Sequence, residues 1–191
     1  MKKKLSDNTM LKTKNRIILR KFNKRDSTLM FKWAKDPFLI RYIGASTVNS
    51  PEAEYRRLMD KIKNHGRIIF TIETQKRKPI GYIYIDVDKK NKKAEFSIAI
   101  GEKDYRSKGY GTGSTKMALD YIFGRLRLNR VFLKVLTFNL PAIKFYEKIG
   151  FKKEGTLRQD IYLNGKYEDF IVMSMLKKEY ENNKNKKQIY R

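Results

Sequence analysis

The sequence predicts an α+β fold: a twisted, mostly antiparallel sheet of about seven strands flanked by about four helices. Three observations carry that expectation. The segments RIIFTIET (67–74), PIGYIYIDVD (79–88) and KAEFSIAIG (93–101) alternate in polarity and are joined by short turns. Short turns favour antiparallel neighbours. A glycine-rich stretch, RSKGYGTG (106–113), then leads into a helical period in 114–128 and a further strand, RVFLKVLTF (130–138), which is the pattern of a helical crossover. Near the end, DIYLNGKYEDFIVMSML (160–176) forms two alternating runs around Asn164-Gly165, a strong hairpin signal.

Each element has its own warrant. Residues 1–15 are polar and basic and are expected to be loosely held. RIILRKF (16–22) has strand composition. Asp26 is expected to cap a helix with apolar positions at Leu29, Met30, Trp33 and Ala34, which Pro37 stops. A loop follows, then a helix started by Ser50 with Pro51 at its first position and ended near Asn64–Gly66. His65 falls in that punctuation and reads as structural filler. The crossover helix repeats its apolar face at Ala118, Ile122 and Leu126. NLPAIKFYEKIG (139–150) is a short helix, with Asn139 near its N-cap, Pro141 in its first turn and Gly150 just past its end. Residues 178–191 read as a charged tail, and no repeat or linker divides the domain expected over 16–177.

Composition excludes several classes. Hydrophobic residues make up 40% of 191, enough for a sizeable core. No apolar run approaches the ~20 residues of a membrane helix. The N-terminus has no apolar stretch after its lysines, so it does not read as a secretory signal, and a cytoplasmic location is expected. Cysteine is absent and histidine occurs once, so no metal site is expected. The net charge of +25 attracts anions of any kind. The lysines are nevertheless dispersed and accompanied by Asn, Ile, Tyr and Phe, as a codon bias toward A and T would produce. No RNA-binding signature or zinc finger is present, and no specific nucleic-acid partner is expected.

The glycines sit between a strand and the start of a helix, where free backbone N–H groups meet the positive end of the helix dipole. A phosphate or pyrophosphate is the natural guest there, and Arg106 and Lys108 add charge at the same place. The stretch lacks the lysine of a Walker A loop, and Ser114 stands where a dinucleotide fingerprint needs its third glycine.

The pattern R-x-x-G-x-G at Arg106, Gly109 and Gly111 resembles the acyl-CoA pyrophosphate loop of the GNAT superfamily of N-acetyltransferases. NLPAIKFYEKIGFKKEG (139–155) is similar to that superfamily's second signature, in which an Asn leads a short helix carrying a Tyr and closing at Gly-Phe. LRQDIYLNGKYEDFIVMSML (157–176) looks like the branch containing ribosomal-protein N-terminal and spermidine acetyltransferases. The resemblance implies acetyl-CoA as co-substrate, held by Arg106, Ser107, Lys108, Gly109, Tyr110, Gly111 and Thr112. It implies a pantetheine arm lying along the strand at Ile98 and Ile100 and touching Asn139.

Tyr146 shares a helix face with Ala142 and Ile149, a spacing that by itself suits a core aromatic. The resemblance places its phenol at the departing thiolate of CoA. In KAEFSIAI, Phe96, Ile98 and Ile100 alternate with Glu95, Ser97 and Ala99, and the second set is small enough to leave a groove. Glu95 then stands at the polar end of that groove as the candidate base, acting through water. The implied reaction is direct transfer to a primary amine, with strand N–H groups polarising the thioester carbonyl. No covalent intermediate is needed, since no serine sits beside a base.

The acceptor is expected between 33–60 and 160–172, with Trp33, Tyr84 and Tyr162 as candidate walls. A protein N-terminal amine or a small amine metabolite is favoured. A polyamine acetyltransferase and a non-catalytic acyl-CoA- or nucleic-acid-binding protein are the alternatives, and a homodimer is an open option.

Overall fold

The computed structural model describes residues 11–12, 17–43, 48–163 and 165–189. Eight strands form one sheet in the order β1-β2-β3-β4-β5-β6-β8-β7. They are β1 (Leu11–Lys12), β2 (Ile17–Lys21), β3 (Arg67–Thr74), β4 (Pro79–Asp88), β5 (Lys93–Ile100), β6 (Arg130–Leu136), β7 (Lys152–Leu163) and β8 (Lys166–Leu176). All neighbours are antiparallel except β5 and β6. Six helices are described: α1 (Asp26–Trp33), α2 (Pro37–Ile43), α3 (Pro51–Asn64), α4 (Tyr110–Asp120), α5 (Leu140–Ile149) and α6 (Lys177–Ile189). The α+β class and the crossover through α4 follow the sequence expectation.

Strand alternation sorts the sheet into two cores. On one face Phe70, Ile83, Phe96, Leu133 and Met173 pack with Leu119 and Ile122 of the crossover and Ile143 of α5. On the other, Ile69, Tyr82 and Ala99 pack with Met30 and Trp33 of α1, Leu39 of α2 and Leu58 of α3. Burying side chains of this size contributes roughly 1.5–3 kcal/mol each.

Four expectations need correction. Asp26 is not the N-cap of α1. It is the first helical residue, and its buried carboxylate accepts from the Arg20 guanidinium at 2.7 Å, the Thr71 hydroxyl at 2.8 Å and the Asn23 N–H at 2.8 Å. Pro37 opens α2 as well as following α1, because a proline at the first helical position loses no hydrogen bond. β7 begins at Lys152, earlier than its alternation shows, since residues 152–160 are exposed on both faces. The charged tail is helical, as α6. Ser50 caps α3 through Ala53 N–H at 3.1 Å, and Gly150 closes α5 at φ 114°, both as expected. Residues 1–10 and 13–15 of the basic N-terminus, and Asn164 of the hairpin turn, lie outside the described residues.

Candidate active site

β5 and β6 pair over only three positions, Lys93↔Arg130, Ala94↔Val131 and Glu95↔Phe132. Beyond them β5 continues against β4 as far as Ile100, and β6 continues against β8 as far as Leu136. The parallel pair therefore opens into a wedge whose apex is Glu95. Along Phe96–Ile100, β5 has a strand partner on one side only. An extended ligand can bond to such an edge as an added strand.

One mouth of the wedge faces a cavity of about 490 Å³ on the side of α1, α2 and α3. Glu95, Ser97, Ile98 and Ala99 line it from β5, which is the groove expected from that strand's small side chains. Tyr82 and Tyr84 line it from β4, in register with Ala99 and Ser97. Their rings lie 4.7 Å apart. Burial pushes the Tyr82 phenol up to about 12 and raises Tyr84 further, so both hydroxyls stay neutral. Glu54 of α3 is 3% exposed and is gripped by Arg57 through two bonds, Nε to Oε2 at 2.9 Å and Nη2 to Oε1 at 2.6 Å. Lys134 of β6 reaches the cavity and donates to Asp160 at 2.8 Å. Glu95 is half-buried, and its side chain has no hydrogen bond or ion pair among the described residues.

The glycine stretch starts α4. Gly109 is the N-cap at φ 81°, a left-handed conformation that disfavours a side chain, and it offers no side-chain cap to the first N–H groups. A Cβ at Gly109 would meet nothing within 4 Å, and one at Gly111 would make ordinary contact with the Phe145 ring at 3.7 Å. At Gly113 a Cβ would fall 2.3 Å from Ile17 Cδ1, so this glycine serves packing. Tyr110 and Thr112 form the first turn with Gly111, while Ser107 and Lys108 are exposed in the loop before it.

Arg106 is placed differently from what its position in the motif suggests. Its guanidinium turns inward, donating to Ile100 O at 2.9 Å, Gly101 O at 2.8 Å and Asp36 Oδ2 at 2.8 Å, and it lies over the Phe38 ring at 4.5 Å. It braces the end of β5 against the α1–α2 corner. Asp36 is held below the ordinary carboxyl range chiefly by that guanidinium.

Tyr146 lies in the core on the α4–α5 face, 8% exposed, with Phe145 at 5.0 Å and Phe151 at 5.6 Å between ring centroids. Burial raises its phenol well above the ordinary range. It is therefore on the opposite side of the sheet from the Glu95 cavity, and the wedge is the opening between the two sides. Asn139 caps α5, its Oδ1 accepting from Ala142 N–H at 3.2 Å. Ile100, with Ile98, packs at the margin of the same core.

Of the three candidate walls, Tyr84 lines the cavity. Trp33 is a core residue, 3% exposed, with Nε1 donating to Glu102 at 2.9 Å. Tyr162 is 64% exposed, meets the Tyr167 ring edge to face, and is not among the residues lining the cavity. Sequence reasoning did not place Glu54, Arg57, Lys134 or Phe170 in the cavity. The i,i+3 spacing of Glu54 and Arg57 was the available signal. His65 is exposed and 3.6 Å from Asp60. Among the described residues no group of three His, Asp or Glu side chains could hold a metal.

A family model, acetyltransferase (GNAT) domain, matches residues 16–152. The spermidine N(1)-acetyltransferase of Vibrio cholerae is 32% identical over 131 residues, covering 68% of this chain and 75% of that protein. An SPbeta prophage-derived uncharacterized N-acetyltransferase of Bacillus subtilis, YokL, is 39% identical over 122 residues, 64% of this chain and 63% of that protein. The crystal structure of the Vibrio cholerae spermidine N-acetyltransferase in complex with CoA and spermine superposes with a TM-score of 0.80 at 25% identity, covering 87% of this chain and 98% of that one.

Proposed function

The chain belongs to the GNAT acetyltransferase family, and from that premise we propose how its wedge moves an acetyl group from acetyl-CoA directly to a primary amine. The observation that carries the proposal is Glu95, a carboxylate without a cationic partner, at the apex of a strand pair that opens into a cavity. The N–H groups of Tyr110, Gly111 and Thr112 receive the pyrophosphate, with Lys108 adding charge beside them. The pantetheine lies along the unpaired edge of β5 past Ile98 and Ile100, and Asn139 flanks it from the start of α5.

The amine enters from the cavity. Its lone pair forms the new N–C bond as the C–S bond of the thioester breaks. The ammonium proton passes to Glu95 through water and on to solvent. Backbone N–H groups of β5 stabilise the carbonyl oxygen while it carries charge. The CoA thiolate leaves with a proton from Tyr146, and the phenol, which burial keeps protonated at rest, regains that proton from solvent before the next turnover. Holding amine and thioester together supplies much of the rate.

The supporting test uses the full chain, acetyl-CoA and a panel of primary amines, with thiol release and acetylated product measured together. Turnover by the wild type and a loss of about 10²-fold or more in Glu95→Gln is expected. Wild-type rates in that variant would remove Glu95 from the mechanism.

A cytoplasmic site of action belongs to this reading. Among the described residues no helix is long and apolar enough to cross a membrane. A homodimer belongs to it as well. β7 is an edge strand, and the β7–β8 segment carries four basic residues (Lys152, Lys153, Arg158, Lys166) and four acidic ones (Glu154, Asp160, Glu168, Asp169). Its charges balance, so two copies of a chain at +25 meet there with little net repulsion.

A further inference from the structure

We propose that the acceptor is a primary monoamine with an uncharged, apolar body, and that polyamines are poor substrates of this chain. The inference rests on the reading of the cavity as the acceptor site.

Charge on the walls carries it. Four charged side chains line the cavity: Glu54, Arg57, Glu95 and Lys134. Glu54 is 3% exposed and both its oxygens are occupied by Arg57. Lys134 is paired with Asp160. Glu95 is thus the one lining carboxylate left without a cationic partner among the described residues, and it can serve one ammonium. A second ammonium on the same molecule finds no second carboxylate there. It meets Arg57 and Lys134 instead, whose side chains stay 39% and 36% exposed while paired. Exposed pairs cancel charge incompletely at short range, so both cations still repel an ammonium.

The remaining walls suit an uncharged body. Met30, Ala34 and Ile43 come from α1 and α2, and Phe170 comes from β8. Tyr82 and Tyr84 present flat rings whose hydroxyls remain neutral. An aryl or alkyl group buries apolar surface against these walls, whereas the secondary ammonium of a polyamine chain must be stripped of water against them.

The experiment measures kcat/KM for phenethylamine, spermidine and phenylalanine with the full-length chain and saturating acetyl-CoA at about 0.15 M salt. Phenethylamine is expected to exceed spermidine by at least about 10-fold, because the second ammonium meets two incompletely compensated cations, and to exceed phenylalanine, whose carboxylate sits beside the reacting amine and so faces Glu95. Spermidine at or above phenethylamine overturns the proposal. So does phenylalanine above phenethylamine, which would mean that Arg57 or Lys134 recognises a carboxylate. Release of thiol from no amine in the panel defeats the acceptor-site reading and the inference with it.

Lys134→Met supplies an independent arm, because Lys134 is a third exposed and its removal leaves no buried charge unpaired. It deletes one cation from the cavity wall and leaves Asp160, outside that wall, without its Lys134 partner. The spermidine-to-phenethylamine ratio of kcat/KM is expected to rise about 3–10-fold. An unchanged ratio in the folded variant overturns the assignment of specificity to these wall charges.

Discussion

Tyr146 has two roles that use different atoms. Its ring fills the core between Phe145 and Phe151, and its hydroxyl is kept protonated by burial. Tyr146→Phe preserves the first and removes the second. The variant is expected to melt within about 1 kcal/mol of wild type and to bind acetyl-CoA normally, while kcat falls by about 10²–10⁴-fold. Because burial moves the phenol upward, its deprotonation cannot cause loss of activity between neutral pH and the ordinary tyrosine range near ~10. An unchanged kcat, with chemistry limiting, would leave Tyr146 a core residue only. At this scale the sequence was most legible where the partner is local, as at Asn139 and Ser50, which cap helices that begin one residue later. It was least legible at Arg106. An arginine beside a glycine loop reads as an anion ligand, yet its guanidinium is engaged by Asp36, 70 positions away, and by two carbonyls of the β5 end. Asp26 was drawn from its expected cap by Arg20 in the same manner, since a bidentate ion pair outweighs one capping bond.

The N-terminus of α4 is the element on which cofactor binding turns, and Gly111→Asp separates helix stability from anion binding there. The substitution has room, because the new Cβ would meet Phe145 at 3.7 Å. An acidic residue in the first turn stabilises a helix by about 0.3–1 kcal/mol through the macrodipole. The same charge opposes a pyrophosphate at the same N–H groups. The expected result is an unchanged or raised Tm together with loss of acetyl-CoA binding by calorimetry; wild-type affinity would place the pyrophosphate elsewhere. Strand elements were legible because short β-branched and aromatic runs bounded by turns report burial directly, on both faces along most of β3 and alternately in β5. The wedge was not legible, because where a parallel pair stops depends on register, which no local pattern encodes. α2 was missed since a proline that ends one helix also starts the next. α6 was missed since its residues are charged on nearly every side. It is held from outside its own sequence, by Tyr180 against Phe123 and by Leu176 N–H donating to Glu179 at 2.9 Å.

For the molecule as a whole, +25 is a long-range field as well as a composition, and salt distinguishes it from the charges in the cavity. The field is screened over about 8 Å at physiological ionic strength, whereas groups in contact within a partly buried cavity are screened far less. Under limiting amine, raising salt from about 0.02 to 0.5 M should increase kcat/KM for both phenethylamine and spermidine, since both are cations approaching a cation. The increase should be steeper for spermidine, which carries more charge. Acetyl-CoA, an anion, should show the opposite trend in its own KM. The decisive quantity is the ratio of the two amines at the high-salt end. If Arg57 and Lys134 set specificity at short range, phenethylamine keeps most of its advantage once the field is screened. If the ratio converges toward one, the preference came from the net charge alone, and the walls of the cavity do not choose the acceptor.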